Sequence, residues 1–260
     1  MTSNPNAASV QVLKAVEDGW NAFCRAPWSF LLFQVLVGLV SLPFIGIAAL
    51  GYGGVNKMIP MEWLASLVNP VIGWLLLLLG LIGYVVVCLW GIVGMIRGSW
   101  TSLNGRKPDF RDFTRWDGAA SGRLLGSMVL WWIVIAIASV IAYFIAQGLG
   151  GINQALVLIP SIALGIFGLW FIVNQKFLVQ ASLLGSKNSA DALTSGFKVI
   201  NPSWWIVLWL VIVEATINAI AVVLAQGGMF VAVPVLVCIS TAAYRQLFGP
   251  EDRTGLANPN

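Results

Sequence analysis

Between Trp28 and Leu50 the chain runs WSFLLFQVLVGLVSLPFIGIAAL without a single Asp, Glu, Lys or Arg. A helix needs about 20 such residues to cross the hydrocarbon of a bilayer. Comparable runs recur at about Pro70–Ile96, Leu124–Ala146, Ala155–Val179, Pro202–Ala225 and Met229–Leu247. The fold class this implies is an all-α integral membrane protein with six transmembrane helices. Composition agrees: 9% of the residues are charged and the mean hydropathy is +0.89, whereas soluble domains carry about 25% charged residues. No polar run is long enough for a separate soluble domain. Residues 8–248 therefore read as one membrane domain, with 1–7 a disordered N-terminus and GPEDRTGLANPN, 249–260, a disordered tail.

The first 27 residues include Glu17 and Asp18 and lack a cleavable signal pattern, so the first span reads as an uncleaved insertion signal. Six crossings put both termini on one side. Thirteen of the fourteen basic residues then share that side: Lys14, Arg25, Arg97, Arg106, Lys107, Arg111, Arg115, Arg123, Lys176, Lys187, Lys198, Arg245 and Arg253, with Lys57 opposite. The positive-inside rule makes that side cytoplasmic. The expected location is a bacterial-type inner membrane, multi-pass, with both termini in the cytoplasm.

Three polar segments precede pairs of spans, and each is expected to form a cytoplasmic amphipathic helix at the interface. In the first, Leu13, Val16, Trp20 and Phe23 share a face, with Ser9 as its cap. In the second, Asp109 and Asp112 are spaced as a capping box, Phe110, Phe113 and Trp116 share a face, and Arg111 and Arg115 sit on another. In the third, Asn188 caps a stripe of Leu193, Phe197 and Ile200. The spans thus group as three hairpins. GYGG (51–54), GLGG (148–151) and QGG (226–228) are expected to turn the chain, and MEWLASLV (61–68) to lie at the opposite interface. The first and third units also share residues: Ala15, Gly19, Trp20, Pro27 and Trp28 match Ala192, Gly196, Phe197, Pro202 and Trp204. Duplication would make these parallel repeats about an axis along the membrane normal.

The order of features resembles a broad group of poorly characterised bacterial six-span proteins that includes the membrane domain of some glycerophosphodiester phosphodiesterases. The residues that carry the resemblance are the AxxxGW element at Ala15–Trp20, Gly105, Pro108, Phe110, Asp112 and Phe113, then Ser189, Ala190, Ala192, Leu193 and Gly196, and Thr241–Gly249. The resemblance implies the fold. It transfers no activity, because the phosphodiesterase chemistry of the fused members resides in a soluble barrel with catalytic histidines, and this chain has no histidine.

That absence also removes the commonest general base and metal ligand. Cys24, Cys88 and Cys238 form no recognisable disulfide or zinc pattern. Catalytic residues, metal ligands and cofactors are none, and neither an enzyme nor a nucleic-acid partner is expected. Glu214, about 18 Å into its span, is an ionisable group where such groups are costly and mark function by default; Asn218, one turn on, shares its face. Asn174, Gln175 and Lys176 close the fourth span, where a lysine snorkels to the interface. Arg106, Lys107, Phe110, Arg111, Phe113, Arg115 and Trp116 form a candidate docking or lipid-headgroup surface, although Asp109, Asp112 and Asp117 reduce its charge. Gly80, Gly83, Gly91 and Gly94 permit close helix contact, within the chain or between copies.

Two functions follow. The first is a non-enzymatic accessory, scaffold or assembly factor acting through cytoplasmic interfacial helices, with the bilayer, anionic lipid headgroups, other membrane proteins or a second copy as partners. The alternative is a small-solute or ion transporter using Glu214. A polar cavity reaching Glu214 favours transport; dry packing around it favours the scaffold.

Overall fold

The computed structural model describes residues 10–58, 67–223 and 228–257, and among them the secondary structure is entirely helical. The main helices are α1 (Val12–Arg25), α2 (Pro27–Val55), α3 (Pro70–Leu103), α4 (Phe110–Thr114), α5 (Gly118–Gly150), α6 (Leu158–Asn174), α7 (Ser189–Ile200), α8 (Trp204–Val223) and α9 (Gly228–Phe248). Six helical stretches are long and apolar enough to cross a membrane, so the protein is a multi-pass membrane protein. In lipid each span satisfies its backbone internally. Large apolar side chains such as Leu75, Ile82, Ile137, Ile166 and Val222 accordingly face outward.

Helices α2 and α3 run antiparallel, and the glycines fix how closely they meet. A Cβ at Gly51 would lie 2.3 Å from the Leu77 nitrogen, at Gly80 2.4 Å from the Ala48 nitrogen, and at Gly83 2.0 Å from the Phe44 ring. Farther along, Gly91 meets Val37 and Gly94 meets Phe33. The small-residue stripe therefore works within the chain. It also corrects one turn: Gly51, Gly53 and Gly54 of GYGG lie inside α2, and reversal begins only after Val55. Likewise α5 continues through Gly150, and the reversal falls on residues 151–153, where Asn153 Oδ1 accepts from the Ala155 N–H at 3.0 Å. Residues 1–9, which include Ser9, residues 61–66 of the expected interfacial piece and the start of QGG lie outside the described residues.

α3 has 34 residues, about 51 Å at 1.5 Å per residue and far more than the roughly 30 Å hydrocarbon thickness. Its excess is covered by protein: every residue from Val93 to Ser102 is buried. The collar around it consists of α1, α4, α5, α9 and the C-terminal residues. α1 lays Val12, Ala15, Gly19 and Ala22 against α9, so closely that a Cβ on Gly19 would stand 2.6 Å from the Ile239 backbone. Of the face read from sequence, Phe23 is buried and Val16 half-buried, while Leu13 and Trp20 are exposed. The small residues, which a hydropathy pattern underweights, make the contact.

Two further expectations change at this end. The central segment folds into only five helical residues, α4, opened by the anticipated capping box in which the Asp112 carboxylate accepts the Asp109 N–H at 3.0 Å. The tail expected to be disordered is folded back as far as Ala257. The Asp252 carboxylate accepts the N–H groups of Thr254, Gly255 and Ala257 at 3.1, 2.9 and 2.8 Å. The Arg253 N–H donates to the Leu184 carbonyl at 2.9 Å, and Leu256 is 1% exposed. The Leu256 carbonyl accepts from Arg97, itself 1% exposed, whose Nε donates to it at 3.0 Å and whose Nη1 donates to the Asp112 and Arg115 carbonyls at 3.1 and 2.9 Å. Asp117 lies 3.5 Å from Nη2. A fully buried guanidinium needs such a ring of acceptors, and the tail completes it.

Candidate intramembrane site

Glu214 lies eleven residues into α8, about 15 Å along its axis, on the stripe that buries Val207, Leu210 and Ala221. Its side chain is 9% exposed. One oxygen, Oε1, accepts from the Ser240 hydroxyl of α9 at 2.8 Å. The other, Oε2, pairs with the Lys176 ammonium. Burial of a carboxylate is sustainable only with this degree of compensation.

Lys176 reaches it because α6 stops early. The helix ends at Asn174, and residues 175–177 make tight turns, with the Lys176 N–H on the Val173 carbonyl at 3.2 Å and the Leu178 N–H on the Gln175 carbonyl at 3.0 Å. Neighbouring amides hold the break in place: Asn174 Nδ2 donates to the Trp170 carbonyl at 2.9 Å and Gln175 Nε2 to the Leu193 carbonyl of α7 at 3.0 Å. The expected snorkelling lysine is thereby corrected. Its side chain points into the bundle, because the compensating charge is there.

The pair lies on a cleft of about 600 Å³ between the α2–α3 pair and the α8–α9 pair, lined also by Val179 and Gln180. The walls are mostly apolar: Val37, Ile92, Met95, Val179, Leu236 and Val237. Two amides complete the polar set. Gln34 on α2 and Gln180 line the cleft, and the Oε1 atom of each is buried without a partner among the described residues. Cys88 is the cleft's one thiol among the described residues. The result is an ion pair accompanied by two amides with unpartnered oxygens on a mostly apolar cleft, whose volume is within the size range of small-molecule sites.

The other sequence candidates fare differently. Asn218 is exposed and outside the cleft; its four-residue offset carries it about 6 Å farther along α8, where residues 218–220 are all exposed. Ser240, Lys176, Gln34 and Gln180 take the place it was given. The central surface is divided. Phe113 is fully buried, its ring 4.8 Å from Phe30 and 5.5 Å from Phe33 and pressed onto Gly98. Arg115 is half-buried and donates to the Leu256 carbonyl at 3.0 Å. Arg106, Lys107, Phe110, Arg111 and Trp116 remain exposed. No protein-family model, curated protein or solved structure matches the chain, and the role of the cleft rests on the chemistry of these side chains.

Proposed function

We propose that this protein is a small-solute transporter whose solute, largely apolar with a hydrogen-bonding head, occupies the cleft beside the Lys176–Glu214 pair. The observation that carries this reading is the cleft itself, which reaches the single acidic residue of the apolar runs and leaves Gln34 and Gln180 without partners. The cleft is neither the polar cavity expected of a transport path nor the dry packing expected of a scaffold, since mostly apolar walls surround one ion pair and two amides, and the apolar solute proposed fits those walls. The accessory or scaffold role loses support because Phe113 and Arg115 are engaged within the fold.

In this reading the spans form three hairpins introduced by α1, the α4 segment and α7, in a bacterial-type inner membrane with both termini cytoplasmic. Support comes from the thirteen-to-one distribution of basic residues and from bonds that gather the intervening segments at one end. Gln11 N–H reaches Gln246 at 2.8 Å, Arg123 reaches the Ser182 carbonyl at 3.3 Å, and Arg97 reaches Leu256.

Cys88 supplies the test. With Cys24→Ser and Cys238→Ser, it is the sole thiol, and in oriented proteoliposomes a membrane-impermeant charged thiosulfonate can be added to either side. A transporter exposes Cys88 to the reagent from both sides, and Glu214→Gln changes the ratio of the two rates. Reaction from one side only, or reaction only with a membrane-permeant maleimide, overturns the reading.

A further inference from the structure

A second concavity, independent of the first, lies at the charged end among α1, the end of α3 and α9. Its volume is about 440 Å³, and three cations border it: Lys14 and Arg25 from α1 and Arg245 from α9. Asp18 is the one acid on its wall, leaving two net positive charges. None of the three cations forms an ion pair among the described residues.

The bland account is that the two arginines cap α3, and each does spend one N–H in that way. Arg25 Nη1 donates to the Ser102 carbonyl and Arg245 Nη1 to the Leu103 carbonyl at 2.6 Å. A guanidinium has five N–H donors, so capping leaves most of them unspent. It also fixes both groups in place, and Arg245 is held further by the Trp100 ring, 5.9 Å from its carbon. Capping explains neither Lys14, which bonds to nothing among the described residues, nor Gln246. The Gln246 Oε1 accepts the Gln11 N–H at 2.8 Å, which leaves its buried Nε2 as a donor without an acceptor. Positioned guanidinium donors, an ammonium and the Gln246 amide N–H outnumber the acceptors on the same wall, the Asp18 carboxylate and the Asn21 amide oxygen, and the complement of that excess is a multivalent oxyanion.

We propose that this pocket binds a phosphate group, presented either by an anionic phospholipid headgroup or by a soluble phosphate. Lys14→Gln is the informative variant, because Lys14 makes no bond that the fold needs. The purified full-length chain in neutral detergent is titrated with dioleoylphosphatidylglycerol and with dioleoylphosphatidylcholine, and bound lipid is counted by native mass spectrometry. Preferential binding of the glycerol lipid, weakened about fivefold by Lys14→Gln and more by Arg25→Gln with Lys14→Gln, is the expected result, with exposed Lys187→Gln unchanged. Millimolar inorganic phosphate separates the sources: it displaces the lipid from a soluble-phosphate site and leaves a headgroup site occupied. Equal binding of the two lipids without any protection by phosphate against thermal unfolding overturns the proposal. So does loss of binding in Lys187→Gln equal to that in Lys14→Gln.

Discussion

Removing either member of the Lys176–Glu214 pair leaves the other charge in a site built for two, and the cost follows from how the site is closed. Glu214 is 9% exposed and Lys176 21%, so neither charge recovers full hydration when its partner is lost. Truncating one member of such a pair costs about 3–5 kcal/mol. The residual exposure of Lys176 and the Ser240 hydroxyl still on Glu214 place this pair near the lower bound, about 3 kcal/mol. For a chain of this size that is a fall of about 6–12 °C in apparent Tm. Lys176→Met and Glu214→Leu should each show it. The double variant removes both charges, and it should recover most of the loss, with a coupling energy of at least about 2 kcal/mol in the cycle. Thermal unfolding in detergent, followed by tryptophan fluorescence, measures all four corners. Additive single effects, with coupling below about 0.5 kcal/mol, would refute the claim that the two charges compensate each other. A stable double variant has a second use: if the pair serves transport, Cys88 in it should lose its two-sided reactivity although the fold is intact.

Two further outcomes check the packing and the charged end. Gly80→Val should cost about 1–3 kcal/mol or more, because its new Cβ meets the Ala48 backbone at 2.4 Å, whereas Gly38→Ala, with nothing within 4 Å, should be neutral or slightly stabilising by the same unfolding measurement. Arg97→Met should release the tail by removing one donor to the Leu256 carbonyl, and carboxypeptidase should then shorten the chain at least several-fold faster than in the parent; equal rates would show that Arg115 and Asp252 suffice.

The spans were legible because a bilayer imposes a length and a composition that no neighbouring residue can override. The ends of the helices were not. GYGG carries the residues of a turn, but the same glycines are what two antiparallel helices need to touch, and Gly51 facing Leu77 shows the second use prevailing. The tail offered no apolar run to announce a fold, since its anchorage depends on one leucine, one aspartate cap and the lone pairs of a backbone carbonyl. The Leu256 carbonyl is 159 residues from Arg97 in sequence, so local pattern has no access to the contact.

Glu214 was conspicuous from its sequence position, and its partner was legible in the same sequence. The apolar run ending at Val179 contains one cation, Lys176, and the next run one acid, Glu214. A lone charge of each sign in adjacent spans has a shared solution in pairing, which removes the cost of burying each. Snorkelling solves only the lysine's half of the problem and leaves the glutamate uncompensated. The same reasoning argues against Asn218: a neutral amide cannot relieve a buried carboxylate's charge, whereas the Lys176 ammonium relieves it and the Ser240 hydroxyl satisfies the remaining oxygen. What pairing leaves over is informative in turn. A fold that needed the ion pair only for cohesion would close around it, yet here the amides of Gln34 and Gln180 stand unpaired on a 600 Å³ cleft beside it. Each unmet hydrogen bond calls for a partner, and in the proposed reading the polar head of the solute supplies it.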